Sequence, residues 1–209
     1  MLQSSNLTFQ YKKTDRLFRF PNIDLKTQEN LLILGKSGIG KTTLLHLLAG
    51  ILKPSSGIVA VNNVDITRLR DNSLDRFRGQ NIGLVFQQNH AIQTLNVLEN
   101  LKARLFFSYQ KVNLQKIEAL LAELDLLDCK TSKIQTLSEG QLQRLGIALS
   151  VIHEPELILA DEPTSSLDDA NCKIVLDLLV KQAAKTKANL VVITHDHRIR
   201  PYFQNTIVL

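Results

Sequence analysis

Gly35, Gly40, Lys41 and Thr42 fall at the spacing G-x-x-x-x-G-K-[ST] within Leu31-Leu-Ile-Leu-Gly-Lys-Ser-Gly-Ile-Gly-Lys-Thr-Thr43. The chemistry this spacing serves is the binding of a polyphosphate. Glycines let backbone N–H groups turn inward and approach phosphate oxygens with no Cβ in the way. A helix that starts directly after the loop adds unsatisfied donors and the positive end of its dipole. Lys41 is expected to reach the β- and γ-phosphates and the Thr42 hydroxyl to ligate Mg2+. Lys36, Ser37, Gly38, Ile39 and Thr43 complete the expected cradle.

Asp161-Glu162 follows the apolar run Leu157–Ala160 directly, which delivers two carboxylates to the end of a buried strand, where α/β sheets place their ligands. Asp161 is the candidate to help hold Mg2+, and Glu162 the candidate to orient and deprotonate an attacking water. Leu190-Val-Val-Ile-Thr194 brings His195 to another strand end. His195-Asp196-His197 is not read as a zinc site, because no suitable cysteine or third histidine lies near it in the sequence.

The elements that must carry these groups follow from periodicity and breakers. Leu7, Phe9 and Tyr11 alternate with polar residues as in a half-buried strand, and short strand pieces at Phe18–Phe20 and Ile23–Leu25 complete an antiparallel layer ahead of the loop. A buried strand spans 31–34 and a helix 42–52. Lys53-Pro-Ser-Ser-Gly57 breaks the chain before a strand at 58–61 and a turn at Asn62-Asn63. A surface helix is expected around 74–77 and a strand over 82–86, with Gln87 to His90 at its end.

Between Leu95 and His153 the pattern is helical, and Leu114, Ile117, Leu120, Leu121, Leu124 and Leu127 form one apolar stripe. Pro155 stops the last of these helices. A helix over 169–186, the strand at 190–194 and an edge strand at 206–209 finish the chain. The expected organisation is one domain, with residues 1–88 and 155–209 as core and 89–154 as an inserted helical subdomain.

The chain of 209 residues suffices for one substantial core. No apolar run approaches the ~20 residues of a membrane-spanning helix. Met1–Asn6 shows no secretory pattern, so a cytoplasmic location is expected. Cys129 and Cys172 have no C-x-x-C spacing and are expected to be free thiols. The net charge of +5 comes from scattered lysines and arginines, among them Lys12, Lys13, Arg16 and Arg19. Without interleaved aromatics or a groove-binding motif, this reads as a solvated surface rather than a nucleic-acid footprint.

Taken together, the motifs resemble the ATP-binding subunit of an ATP-binding cassette (ABC) transporter, in the order that family shows from Tyr11 to His195. After the phosphate loop, Val85-Phe-Gln87 resembles the Q-loop and Leu137-Ser-Glu-Gly-Gln141 the signature LSGGQ. Asp161-Glu162 follows, then Ser166-Leu-Asp168, similar to the D-loop, and His195, similar to the switch histidine. The resemblance implies an α/β fold, a P-loop NTPase (RecA-like) core with a mainly parallel sheet, and ATP with Mg2+ as cofactors.

It also implies roles. Gln87 senses Mg2+ and the γ-phosphate; Ser138, Gly140 and Gln141 grip ATP held by a second copy; His195 bonds the γ-phosphate; Asp168 organises the contact between subunits; and Tyr11 stacks on adenine. A strand residue that merely packs is the other reading of Tyr11. The implied partners are a second cassette, of the same or another kind, and a transmembrane permease, with the protein peripheral on the inner face of the membrane. Leu95-Asn-Val-Leu-Glu-Asn-Leu101 resembles the lipoprotein-releasing, macrolide-export and cell-division branch, although amino-acid importers read similarly.

Two departures stand out. Glu139 occupies the signature's third position, where a carboxylate near a γ-phosphate is unfavourable unless it points away. Lys26-Thr-Gln-Glu-Asn30 lacks the usual glycine-containing turn. Two rival readings are a soluble ABC ATPase acting on nucleic acid or ribosomes and a nucleotide-binding module that does not turn over ATP.

Overall fold

The computed structural model describes residues 1–12, 16–87, 90–165 and 167–209. In chain order the strands and helices are β1 (Leu2–Phe9), β2 (Phe18–Arg19), β3 (Ile23–Leu25), β4 (Asn30–Leu34), α1 (Lys41–Leu48), β5 (Ser56–Val61), β6 (Val64–Asp65), α2 (Asp71–Asn81) and β7 (Ile82–Val85). They continue with α3 (Val97–Phe107), α4 (Leu114–Glu123), α5 (Glu139–Val151), β8 (Leu157–Asp161), α6 (Asp169–Thr186), β9 (Asn189–Thr194) and β10 (Asn205–Val208).

β10, β4, β9, β8 and β7 lie side by side, in that order, as a parallel sheet. β4, β9, β8 and β7 are largely apolar runs because both faces are covered, whereas β10, at the edge, reads Asn-Thr-Ile-Val and is partly exposed. Leu31, Ile33, Leu157, Leu159, Val191 and Ile193 point to the face shared with the N-terminal sheet and α1. Leu32, Leu34, Ile158, Ala160, Leu190 and Val192 point to the opposite face, where the helices from α3 to α6 close a second core. Each leucine or isoleucine so buried stabilises the fold by about 1.5–3 kcal/mol.

β1 is the centre of a second, antiparallel sheet, pairing with β2, β3 and β5, while β5 pairs with β6. Two of these strands follow the phosphate-loop helix, so the antiparallel layer is not wholly ahead of the loop as expected. β1 also runs differently. A bulge between Ser5 and Thr8, with Asn6 at φ 52°, shifts the buried positions from Leu2 and Ser4 to Leu7 and Phe9. The strand stops at Phe9, and Tyr11 lies beyond it.

Helix α1 ends at Leu48 rather than at residue 52. Gly50, at φ 65°, turns the chain, and a Cβ there would come within 2.9 Å of Leu74. The apolar stripe around α4 outlasts its helix as well. Leu124 caps it, and Leu127 lies in a following 3-10 turn with 38% of its surface exposed. The turn at 26–29 forms without glycine, with Gln28 at φ 68° and the Glu29 carboxylate accepting from the Lys26 N–H.

Candidate functional site

Because β4, β9, β8 and β7 are parallel neighbours, their carboxyl ends open on one edge of the sheet. The phosphate loop leaves β4, Asp161 closes β8, Thr194 closes β9, and Gln87 lies just past β7. A cleft of about 710 Å³ opens there. It is lined by Lys36, Ser37, Gly38, Gly40, Lys41, Thr42 and Thr43 of the loop, by Gln87, Asp161, Glu162 and His195, and by Tyr11 and Phe18 at its mouth.

Gly38 and Gly40 take φ of 78° and 112°, conformations that L side chains rarely adopt. At Gly40 a Cβ would also press to 2.8 Å on the Phe18 ring. Gly35 and Ile39 support the loop from behind: the Gly35 N–H donates to the Thr194 carbonyl (3.3 Å) and the Ile39 N–H to the Lys36 carbonyl (3.4 Å).

Lys41 is buried. Its ammonium donates to the carbonyls of Gly35 (2.7 Å) and Lys36 (3.2 Å) and stands 3.4 Å from Glu162 Oε1. The lysine thus caps its own loop until a more strongly charged partner enters.

Glu162 is the hub. Its Oε2 accepts from the Thr194 hydroxyl (2.6 Å) and the His195 N–H (3.3 Å), and its Oε1 lies 3.0 Å from His195 Nδ1. Burial pushes the carboxyl pKa up, but the hydrogen bonds from His195 and Thr194 together outweigh it and hold the group below its usual range. Glu162 itself has φ 48°, a strained setting for a side-chain-bearing residue, fixed by its N–H to the Ile193 carbonyl (2.8 Å).

Asp161 behaves oppositely. Burial raises its pKa, only partly offset by the Thr42 hydroxyl, which donates to Oδ2 at 2.9 Å. Its other oxygen, Oδ1, is buried and has no hydrogen-bond partner among the described residues. A buried carboxylate oxygen left unpaired beside a threonine hydroxyl suits a hard divalent cation that keeps several waters, as Mg2+ does.

Tyr11 is 58% exposed at the cleft mouth, edge-on to Phe9 and Phe18, with its hydroxyl 3.0 Å from that of Thr43. Gln87 donates to the Ser165 hydroxyl at 3.2 Å.

Ser138, Gly140 and Gln141 do not line this cleft. They open α5 as a capping box: the Gln141 N–H donates to Ser138 Oγ (3.3 Å) and the Ser138 N–H to Gln141 Oε1 (2.9 Å). Ser138 and Glu139 are exposed. Glu139 borders a different groove, between the sheet and the helical segment. Asp168 caps α6 by accepting from the Asn171 N–H (2.8 Å), and Ser166 lies outside the described residues.

Sequence reasoning missed Phe18, Thr194 and Gln143. The sequence pattern marks Phe18 only as a strand residue and Thr194 only as a strand end. A hydroxyl immediately before a strand-end histidine is a signal that could have found Thr194. The α5 residue Gln143, whose side-chain amide donates to the Pro163 carbonyl, carries no such local signal.

A family model described as "ABC transporter" matches residues 19–165, more than half of the chain. The lipoprotein-releasing system ATP-binding protein LolD of Legionella pneumophila (strain Lens) is 36% identical over 183 residues, covering 87% of this chain and 81% of the relative. The bacitracin export ATP-binding protein BceA of Halalkalibacterium halodurans is 33% identical, covering 100% and 85%. Among solved structures, the dimeric post-hydrolysis state of the ATP-binding cassette MJ0796 bound to ADP and Pi superposes with a TM-score of 0.89 at 32% identity, covering 100% of this chain and 94% of that one.

Proposed function

From the premise that this chain belongs to the ABC transporter family and is one of its ATP-binding, ATP-hydrolysing subunits, we propose that two cassettes close head to tail around two ATP and drive a separate permease. One observation carries the reading. Lys41, Asp161, Glu162 and His195 converge in a single cleft, while the serine-led start of α5 is exposed and lines no part of it. Each half-site lacks what the other half presents.

In this reading the γ-phosphate takes Lys41 from the carbonyls of Gly35 and Lys36 and from Glu162, and takes a bond from His195. Glu162 then loses the His195 side-chain bond, the strongest of the contacts that depress its pKa, while its burial persists. Its affinity for a proton rises as the substrate settles, which suits a group that must accept a proton from water. Thr42 and Asp161, through its unpaired Oδ1, would hold Mg2+, which when bound screens phosphate charge. Gln87 reaches this site from the end of β7, and Tyr11, with Phe18 beside it, offers an aromatic face to adenine. Glu139 borders the other groove and so need not oppose a phosphate.

Among the described residues no helix is long and apolar enough to cross a membrane, and we place the translocation path in a permease at whose cytoplasmic side this subunit sits. Residues 89–154 act as the subdomain that meets it. A groove of about 860 Å³ runs between sheet and helices, lined among others by Leu84 of β7, Arg78 of α2, Phe107 of α3 and Leu142 of α5. Gln87 borders both this groove and the ATP cleft, which gives nucleotide a route to the permease. Similarity to a lipoprotein-releasing and to a bacitracin-export protein favours an export or extraction system over an importer.

Glu162→Gln tests the composite site. It should reduce hydrolysis by about three orders of magnitude or more, by removing the general base, while ATP drives the variant to a dimer on size exclusion. A variant that stays monomeric with saturating ATP and Mg2+ contradicts the two-copy arrangement.

A further inference from the structure

The loop that follows Glu162 is gripped from two sides. From the end of β7, Gln87 donates to the Ser165 hydroxyl at 3.2 Å. From α5, the Gln143 side-chain amide donates to the carbonyl of Pro163. Pro163 is buried and follows Glu162 directly, and a Ser165 N–H to Glu162 carbonyl bond (3.3 Å) closes the turn. The aim of the Glu162 carboxylate depends on a left-handed backbone whose next residue is held by Gln143.

Gln143 belongs to the same helix as Ser138. A helix moves as a rigid body over so short a span, so a shift at its serine-led end is carried to the Pro163 carbonyl. In the two-copy reading, that end touches the ATP of the partner, whereas Glu162 acts on the ATP of its own chain. We propose that Gln143 is a positioning residue that couples the two ATP sites, setting the glutamate loop of one according to whether the signature helix of the same chain has engaged nucleotide in the other. The inference rests on that reading. Its physical content is one hydrogen bond joining an element that reads one site to an element that works in the other.

The test uses the full chain with Gln143→Leu and Gln143→Met, which keep bulk but cannot donate, and Gln143→Lys, which restores a donor of similar reach. Steady-state hydrolysis is followed against ATP concentration, and dimer formation is measured with each substitution placed in the Glu162→Gln background. The leucine and methionine variants should lose roughly tenfold in kcat, the fold-change that a hydrogen bond of ordinary strength converts to, with KM shifted by less than about twofold. Their Hill coefficient should fall from about 2 toward about 1. Lysine should restore most of both, and all three should still dimerise with ATP. Unchanged kcat and Hill coefficient in whichever of the two non-donating variants folds would overturn the proposal, as would an equal loss with lysine, which assigns the effect to shape. If Glu162→Gln alone fails to dimerise, the two-copy reading falls first and takes this coupling with it, an outcome visible before Gln143 is touched.

Discussion

Two polar clusters of this molecule are built from similar groups and behave in opposite ways. In the cleft at the carboxyl edge of the sheet, Lys41, Glu162 and His195 satisfy one another, with His195 largely open to solvent and one Asp161 oxygen unpaired among the described residues. At the junction of the helical segment with the sheet, Arg104 donates to the carbonyls of Gly79 (3.1 Å), Ile82 (3.1 Å) and Leu149 (3.2 Å), to the Ser108 hydroxyl (3.0 Å) and to His153 Nε2 (2.8 Å). Burial lowers its pKa to about 10, and it remains a cation at neutral pH. Every acceptor there belongs to the protein and is fixed. The first cluster holds bonds that a phosphate can replace with stronger ones; the second, though it borders the groove between sheet and helices, ties its cation mainly to backbone carbonyls. Partners that can exchange make a working site, and partners that cannot make a joint.

Breaking the joint should have the largest effect. Arg104→Leu removes the donor to the Gly79 and Leu149 carbonyls and leaves Ile82 and His153 only each other, at 3.2 Å, and each unsatisfied group costs about 1–3 kcal/mol where burial is retained. Relaxation and water entry will recover part of that, so a loss of about 3 kcal/mol is expected in urea unfolding, with ATP affinity of the folded variant little changed. A loss below about 1 kcal/mol would show that these contacts are as replaceable as those in the cleft. Lys41→Ala comes next and should show the reverse pattern. Stability changes little, because Glu162 keeps Thr194 and His195. ATP binding should weaken about 10–100-fold, the worth of a charge-assisted contact to phosphate. Unchanged affinity by calorimetric titration would remove Lys41 from the site.

The contrast also explains what could be read from the chain alone. The phosphate loop, the carboxylates after Leu157–Ala160 and the bounds of α6 were legible, because each depends on residues adjacent in sequence: glycines before a lysine, an apolar run before Asp161, Asp168 capping the helix that follows it. The proposed role of Ser138 toward a second copy is not legible locally, since Ser138 as an N-cap looks the same with or without a partner. What stayed hidden depends on distant residues. Arg104 meets His153 across 49 positions, and Thr194 reaches Glu162 across 32. The end of α1 follows from the left-handed backbone of Gly50, and the change of buried positions along β1 from a bulge at Asn6, neither of which an apolar period announces.

The smallest effect sharpens the contrast by pH. His153 Nε2 lies 2.8 Å from the Arg104 guanidinium and 3.2 Å from the Ile82 carbonyl oxygen; Arg104 always donates, so the shorter contact makes Nε2 the acceptor of a neutral ring, with its proton on the buried Nδ1. Burial first, then the nearby charge of Arg104, pull its pKa down to about 3, outweighing the Ile82 carbonyl, which favours the charged ring. The unfolded chain takes up this proton below about pH 6.5 and the folded chain does not, so the stability tied to His153 is intact above that pH and is lost as pH falls toward 3. Between pH 7 and pH 5 the loss amounts to about 2 kcal/mol for one such group. Glu162, Glu123 and Asp196 have depressed pKa values, so their contributions are lost only at lower pH, and Asp161, shifted up, opposes them. His153→Gln keeps an acceptor for Arg104 and removes the titration. Urea unfolding at the two pH values should show most of the difference gone in the variant. If the difference is the same in both proteins, His153 is not the neutral half of the joint, and the division between exchangeable and fixed polar clusters loses its acid-sensitive member.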